Sequence, residues 1–426
     1  MKQEWLFQAQ SLAARASGDK LTQNIGWLTG AEMVSRLGRI AAAVILARQL
    51  DAVAFGVAAM AITVFEIIRV FTENGIGAAV IRADRDQFDK VANTAHKMMW
   101  RICMGLAAVQ ILAGLCLEFV LPGQDSGAMV AALALVFFIM PFGLLHAYSL
   151  QREQRMKHLA AVTSAQAVAD HTLTALLALL GFGAWAIILP KILTTPIWLF
   201  GVRHTRPWKR RPEAGFARSG VIFRFSLPVL GAELLTTARD QLDKLVVSLF
   251  LGIEALGLYY FAFNAGLGVS TALNRAFSNA VYPNLCNASD KLKAFKAAVS
   301  GLGLPLGLVY CAQAAAALLY VPIVFGERWS QAAPLVALLC LGGPARLLVD
   351  GARMYARAEG RSGNEFLLAV GFCTSILIPF TVATPFGLMH AAIASVVGAS
   401  LYAYISTIAA FRPSILPNAA TMEVAR

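Results

Sequence analysis

The chain has 426 residues, of which 58% are hydrophobic and only 14% are charged, and its mean hydropathy is +0.64. A soluble protein would carry about a quarter charged residues, so this composition excludes an ordinary water-soluble fold. Apolar runs long enough to cross a bilayer recur along the whole length, which predicts a polytopic helical membrane protein. The net charge of +12 does not require a nucleic-acid partner, because cytoplasmic loops beside anionic headgroups account for it.

Hydropathy predicts twelve transmembrane helices in two halves of six. The spans are expected at 22–48, 54–80, 98–120, 128–150, 159–181, 184–202, 221–251, 255–284, 297–320, 331–354, 364–384 and 388–411. A basic polar segment follows the sixth span and divides the chain. We therefore expect a cytoplasmic N-terminal segment (1–20), a first six-helix half (21–202), a basic cytoplasmic linker (203–220), a second six-helix half (221–411) and a cytoplasmic tail (412–426).

The distribution of basic residues predicts the orientation. Of the 36 Lys and Arg, eight lie inside the predicted spans away from their ends, and two, Arg48 and Arg328, lie in a loop or at a span end on one side of the membrane. The remaining 26 lie in the termini, in the connections on the other side or at the span ends that adjoin them. Because positive charge accumulates on the cytoplasmic side, both termini are expected in the cytoplasm.

Two stretches of the chain resemble each other at an offset of 201 residues. The segments 30–61 and 231–262 align without a gap, and seven of their 32 positions are identical. The identities include the opening Gly-Ala-Glu and the pair Gly56 and Gly257. With an even number of spans in each half, the repeat would be parallel and would leave a central polar cavity between the halves.

Fifteen charged residues fall within the predicted spans, where each would cost about 2.5–3.5 kcal/mol if it faced lipid at the bilayer centre. They are therefore expected to face each other or water. Their spacing of three, four and seven places them in stripes on single helix faces, as for Glu32, Arg36 and Arg39 or for Glu66 and Arg69. The acids are Glu32, Glu66, Asp170, Glu233, Asp240, Asp243 and Asp350, and the bases are Arg36, Arg39, Arg69, Lys191, Arg239, Lys244, Arg275 and Arg346.

The sequence carries no pattern that predicts an enzyme. It has no phosphate-binding loop, no dinucleotide fingerprint, no zinc-protease motif and no plausible catalytic triad. Its six cysteines show neither metal-ligand spacing nor a paired pattern, and its six histidines are scattered. We expect no cofactor and no metal, and the chain is predicted to transport a substrate.

Several stretches resemble the polysaccharide-transport branch of the multidrug/oligosaccharidyl-lipid/polysaccharide exporter superfamily, the oligosaccharide flippases. The opening of the family is similar to the segment that begins at Gly30 and ends with Phe55 and Gly56. Further similar stretches occur in the expected order at residues 71–81, 181–186 and 281–283, and the most specific one is Phe-Gly-Glu-Arg-Trp at 325–329, followed by Ala-Ala-Pro-Leu at 332–335.

The resemblance implies transport of polyprenyl-pyrophosphate-linked oligosaccharide across a bacterial inner membrane, for capsule, exopolysaccharide or O-antigen synthesis. Arg and Lys bind phosphate oxygens through charge-assisted hydrogen bonds. The expected substrate-binding residues are Arg36, Arg39, Arg69, Arg239, Lys244 and Arg275. The expected ion-pairing residues, or sites of coupling to H⁺ or Na⁺, are Glu32, Glu66, Glu233, Asp240, Asp243 and Asp350. Polysaccharide polymerase and export proteins are the implied protein partners.

Two other functions remain open at this point. A cation-coupled drug or metabolite antiporter would share the six-plus-six layout and the basic central linker. A non-transporting scaffold of an envelope-assembly complex would use its buried charges only as structural ion pairs.

Overall fold

The computed structural model describes residues 35–411 apart from 37, 73–74, 121–124, 154 and 206–207. Within these residues the chain is helical and contains no strand, which confirms the predicted all-α class. The helices are α1 (38–49), α2 (Ala52–Arg69), α3 (Gly75–Arg82), α4 (Phe88–Val120), α5 (Ser126–Ala132), α6 (Ala134–Ile139), α7 (Pro141–Arg152), α8 (Met156–Leu179), α9 (Trp185–Leu193), α10 (Thr195–Thr205), α11 (Ser219–Asn287), α12 (Lys291–Ala298), α13 (Leu304–Tyr320), α14 (Ala333–Leu341), α15 (Gly343–Ala358), α16 (Ser362–Ala383) and α17 (Leu388–Phe411).

The protein is a multi-pass membrane protein. Eight helical stretches in the described part of the chain are long and apolar enough to span a membrane. A ninth arises if Ser126–Ile139 and Pro141–Arg152 form one span, bent by 55° at the proline. This bend is expected, because proline lacks a backbone N–H and clashes with the preceding helical turn. The total of twelve stays a prediction, since most of the first predicted span, 22–48, lies outside the described residues.

The predicted turn between the seventh and eighth spans lies within α11. Gly252 has φ of 85° and ψ of −179°, a backbone conformation that an L side chain disfavours. The hydroxyl of Tyr259 donates a hydrogen bond of 2.6 Å to the carboxylate of Asp243, sixteen residues earlier. On a straight helix these residues would be about 24 Å apart. The helix therefore reverses at Gly252, and α11 consists of two antiparallel arms.

Contacts divide the chain into two compact units. The first unit comprises the chain up to Gln49 together with Val64–Glu233, and the second comprises Leu50–Thr63 together with the chain from Leu234 onward. Each unit has its own apolar core, which includes Met99 and Leu144 in the first and Phe295 and Tyr310 in the second. The predicted domain boundaries at 203–220 stay a prediction.

The basic segment between α10 and α11 is fastened to the start of α4 in the first unit. The amide nitrogen of Asn93, a fully buried residue, donates hydrogen bonds to the carbonyl oxygens of Arg211 at 2.7 Å and Gly215 at 3.0 Å. The hydroxyl of Thr94 donates to the carbonyl oxygen of Ala217 at 3.1 Å. The segment is therefore held as a strap against the first unit.

Candidate functional site

Two ion pairs of the first unit lie beside one cavity. The carboxylate of Glu66 and the guanidinium of Arg69, one turn apart on α2, are 2.7 Å apart. The ammonium of Lys191 on α9 donates to the carboxylate of Asp170 on α8, also at 2.7 Å. The Glu66–Arg69 contact has the spacing that the sequence indicated, whereas the Asp170–Lys191 contact joins two helices and could not be derived from spacing.

The cavity beside these ion pairs has a volume of about 600 Å³. This volume lies within the range of about 300–1,000 Å³ that is usual for small-molecule sites. Its lining combines the ion-paired Glu66, Arg69 and Lys191 with polar and aromatic side chains, namely Tyr148, Gln151, Thr163, Gln166 and Trp198. The first unit therefore contains a polar chamber large enough for part of a substrate.

The predicted stripe on the first helix is only partly described. Arg36 is half-buried and Arg39 is exposed, and both take part in further interactions. A Cβ atom built on Gly38 would lie 3.6 Å from the Cβ atom of His171, so this helix packs on α8 next to Asp170. Glu32 lies outside the described residues, and the predicted Glu32–Arg36 pair stays a prediction.

A charged cluster of the second unit is centred on Asp240, in the first arm of α11. Its carboxylate accepts a hydrogen bond of 3.0 Å from Nε of Arg239 and lies 3.6 Å from Nη2 of Arg346 on α15. All three residues line a cavity of about 100 Å³. Two guanidinium groups therefore share this carboxylate, while Asp350 also interacts electrostatically with both of them and Asp243 lines the same cavity.

A second cluster in the same arm is almost completely enclosed. The side chain of Lys244 is only 3% exposed, and its ammonium group lies 3.5 Å from the carboxylate of Asp243 and 4.2 Å from the ring centre of Phe263. The same ammonium donates to the main-chain carbonyl of Asp240. Lys244 thus contacts the carboxylate of Asp243 and the backbone of Asp240, and it is not among the residues that line the cavity.

The remaining predicted residues are more scattered. Glu233 is exposed, Asp350 lies 3.4 Å from the guanidinium of Arg353, and Arg275 belongs to the second arm of α11, where its side chain is not described. Sequence reasoning counted Asp170, Lys191 and Arg346 among the charges within spans but did not assign them to the site. Tyr259, which hydrogen-bonds Asp243, was missed because an apolar helix gives no signal for one buried hydroxyl.

The two cavities differ in their electrostatics. In the first unit each base beside the chamber is matched by one carboxylate, so the two ion pairs have no net charge. In the second unit Arg239 and Arg346 share Asp240. The second cavity is therefore distinguished by two neighbouring guanidinium groups that one anion could approach, whereas each base beside the first cavity already has its own carboxylate.

The chain is similar to several curated proteins. The chain is 23% identical over 395 residues to the lipopolysaccharide biosynthesis protein WzxC of Escherichia coli, a match that covers 88% of this chain and 76% of the relative. It is 24% identical to the succinoglycan biosynthesis transport protein ExoT of Rhizobium meliloti, over 75% of this chain and 66% of the relative.

Solved structures show the same fold. The lipid II flippase MurJ superposes with a TM-score of 0.73 over 90% of this chain and 89% of that structure, at 12% identity. An inward-facing multidrug resistance transporter gives 0.68 over 92% and 98%, at 15% identity. A family model described as polysaccharide biosynthesis protein matches residues 45–334, more than half of the chain. The chain therefore belongs to the polysaccharide biosynthesis protein family.

Proposed function

We propose that the protein is a flippase that moves polyprenyl-pyrophosphate-linked oligosaccharide from the cytoplasmic to the outer leaflet of the bacterial inner membrane. The membership in the polysaccharide biosynthesis family supports this, as do relatives named for lipopolysaccharide biosynthesis and for succinoglycan transport. The fold shared with a lipid II flippase supports it further. The protein would act as a transporter and not as an enzyme.

The single observation that carries the proposal is the pair of guanidinium groups of Arg239 and Arg346 on either side of Asp240. In the unloaded protein the Asp240 carboxylate offsets part of their positive charge. A pyrophosphate could displace this interaction and accept charge-assisted hydrogen bonds from both guanidinium groups. Three further expected substrate-binding residues, Arg36, Arg39 and Arg275, would follow the same logic along the substrate path.

Transport would proceed by alternating access, with two six-helix halves that rock about a central polar cavity and with both termini in the cytoplasm. The 201-residue repeat and the placement of 26 of the 36 basic residues on one side support this layout. Coupling to H⁺ or Na⁺ would use one of the in-span acids, and polymerase or export proteins would act on the delivered substrate.

An experiment in the source organism tests the proposal. The gene is deleted, and the wild type or the Arg239→Ala plus Arg346→Ala variant is expressed from a plasmid at matched membrane levels. The deletion and the variant are expected to accumulate lipid-linked oligosaccharide in the inner leaflet, and the wild type is expected to relieve it. An Arg218→Ala plus Arg224→Ala variant, which removes two exposed guanidinium groups elsewhere, is the matched control and should restore export.

The other outcomes discriminate between functions. A deletion strain that exports oligosaccharide normally but becomes sensitive to drugs would favour the antiporter. A scaffold would be favoured if the deletion strain loses export and a variant restores it although that variant, once purified, cannot flip the lipid.

A further inference from the structure

The chamber of the first unit has two aromatic walls held rigidly by glycines. A Cβ atom on Gly77 would lie 2.2 Å from the ring of Tyr148, and one on Gly143 would lie 2.5 Å from the ring of Trp198. Both rings therefore lie directly against the backbone of a neighbouring helix, α3 for Tyr148 and α7 for Trp198. Any larger residue would displace them. Side chains fixed in this way lose little conformational entropy when a ligand packs on them.

Two amide groups in the same chamber have no hydrogen-bond partner among the residues that the structure describes. Gln151 and Gln166 are half-buried and line the cavity, and within the described part of the chain neither side chain donates or accepts a hydrogen bond. An amide offers two N–H donors and one carbonyl acceptor. Polar groups inside a membrane protein usually find partners, so these two are available to a ligand that both donates and accepts.

The ions beside the chamber do not provide a free charge for a phosphate. The Lys191 ammonium is bound to Asp170, and the Arg69 guanidinium is bound to Glu66. A pyrophosphate entering this chamber would have to displace a carboxylate without gaining the second guanidinium that the cluster at Asp240 offers. The chamber thus favours an uncharged, hydroxyl-rich ligand over an anionic one.

A pyranose ring has this complementary chemistry. Its C–H faces are apolar and stack on flat aromatic rings, while its hydroxyl groups donate and accept hydrogen bonds along the edge, as an amide requires. The chamber also begins where a cytoplasmic substrate would arrive. Gln151 lies one residue before the end of α7, and Leu159 near the start of α8 also lines the chamber; the connection between these helices is predicted to be cytoplasmic.

We infer that the chamber bounded by Tyr148 and Trp198 is a carbohydrate subsite, in which Gln151 and Gln166 bind sugar hydroxyl groups of the transported lipid. This inference rests on the proposed function and assigns the sugar of that substrate to the first unit.

Binding of two lipids tests the inference. The probes are undecaprenyl pyrophosphate and the lipid-linked oligosaccharide extracted from the deletion strain, and each is titrated against purified full-length protein in nanodiscs. The Gln151→Ala plus Gln166→Ala variant is expected to bind the glycosylated lipid about tenfold more weakly, because two hydrogen bonds are lost. Its affinity for undecaprenyl pyrophosphate should equal that of the wild type. Gln87→Ala, at an exposed glutamine, is the matched control and should change neither affinity.

The possible outcomes distinguish failure of the carbohydrate subsite from failure of the proposed flippase function. Equal affinity of the variant and the wild type for the glycosylated lipid would overturn the subsite and leave the flippase proposal standing. An equal loss of affinity for both lipids would also overturn it, because the glutamines would then not act on the sugar. A wild-type protein that binds neither lipid would contradict the proposed function, and the subsite with it. The Trp198→Phe variant, which retains a smaller aromatic ring in the wall, should have a lower affinity for the glycosylated lipid and an unchanged affinity for undecaprenyl pyrophosphate.

Discussion

Gly56 and Gly257 lie at a reciprocal helix crossing within the second unit. A Cβ atom on Gly257 would lie 1.7 Å from the carbonyl oxygen of Ala52, and one on Gly56 would lie 1.9 Å from the carbonyl oxygen of Ile253. Ala52 and Ile253 are separated by the same 201 residues as the two glycines. The contact of Gly56 with Ile253 is therefore the repeat equivalent of the contact of Gly257 with Ala52. Such reciprocal contacts are expected on a two-fold axis. This geometry supports the 201-residue repeat.

Aromatic residues surround this crossing. Phe261 stacks on Trp329 with ring centres 3.9 Å apart, and Phe55 meets the edge of Trp329 at 5.1 Å. Trp329 is almost completely buried, and the guanidinium of the preceding Arg328 donates a hydrogen bond to the carbonyl of Leu50. The Phe-Gly-Glu-Arg-Trp motif thus has a packing role around the glycine pair.

Replacing Gly257 by alanine is expected to destabilise the protein strongly. The new methyl group would overlap a main-chain oxygen that cannot move without shifting α2, and such overpacking costs about 3 kcal/mol. Thermal unfolding of the purified protein in detergent should show a clearly lower Tm. Gly105→Ala on α4 is the control, because nothing lies within 4 Å of a Cβ atom there. Equal Tm values for the two variants would contradict the close crossing.

Removing the carboxylate of Asp243 is expected to be costly because it leaves the buried Lys244 without its anionic partner. The Asp243→Asn variant should lose about 3–5 kcal/mol of stability, as is usual when one member of a buried ion pair is removed. The Asp243→Asn plus Lys244→Met variant should recover most of this loss, since it removes both charges. Chemical denaturation in detergent measures both values. A double variant that is less stable than Asp243→Asn would show that the ammonium has another essential contact.

The strap between α10 and α11 should be released by Asn93→Ala. This change removes the hydrogen bonds to the carbonyls of Arg211 and Gly215, and the freed segment contains consecutive trypsin sites after Lys209 and Arg210. Limited trypsin digestion is expected to cut the variant within this segment several-fold faster, because cleavage follows the population of the open segment. An Asn284→Ala variant, at an exposed asparagine, should be cut at the wild-type rate. Identical rates for all three proteins would indicate that Asn93 does not hold the strap.

The Glu66–Arg69 ion pair can be tested by swapping its two residues. Glu66→Arg and Arg69→Glu should each lower export at least about tenfold, because each places two like charges one helical turn apart beside the first-unit cavity. The exchange of both residues should restore much of the activity if the pair serves to neutralise the cavity. Export by cells of the deletion strain is the measurement. A double variant as inactive as the single ones would instead place Arg69 in direct contact with the substrate.

Features that depend on local sequence could be predicted. Hydropathy located the helices, and the glycine at 252 marked the reversal between the seventh and eighth spans. Because a charged side chain facing lipid costs free energy, the charged residues within the predicted spans were expected to pair with one another or to face water. Partners on different helices could not be derived, because periodicity reports only neighbours on one helix face. Asp240 with Arg346 and Asp170 with Lys191 are such pairs, and they decide which bases share a carboxylate and which are paired singly.

Reconstitution measures the central claim most directly. Purified protein is incorporated into liposomes that carry lipid-linked oligosaccharide from the deletion strain in the inner leaflet only, and a lectin in the outer solution reports the exposed sugar. The wild-type protein is expected to bring the sugar to the outer leaflet, and the Arg239→Ala plus Arg346→Ala variant is expected to remain near the rate of empty liposomes. A wild-type rate equal to that of empty liposomes, with correctly folded protein of both orientations present, would contradict a flippase.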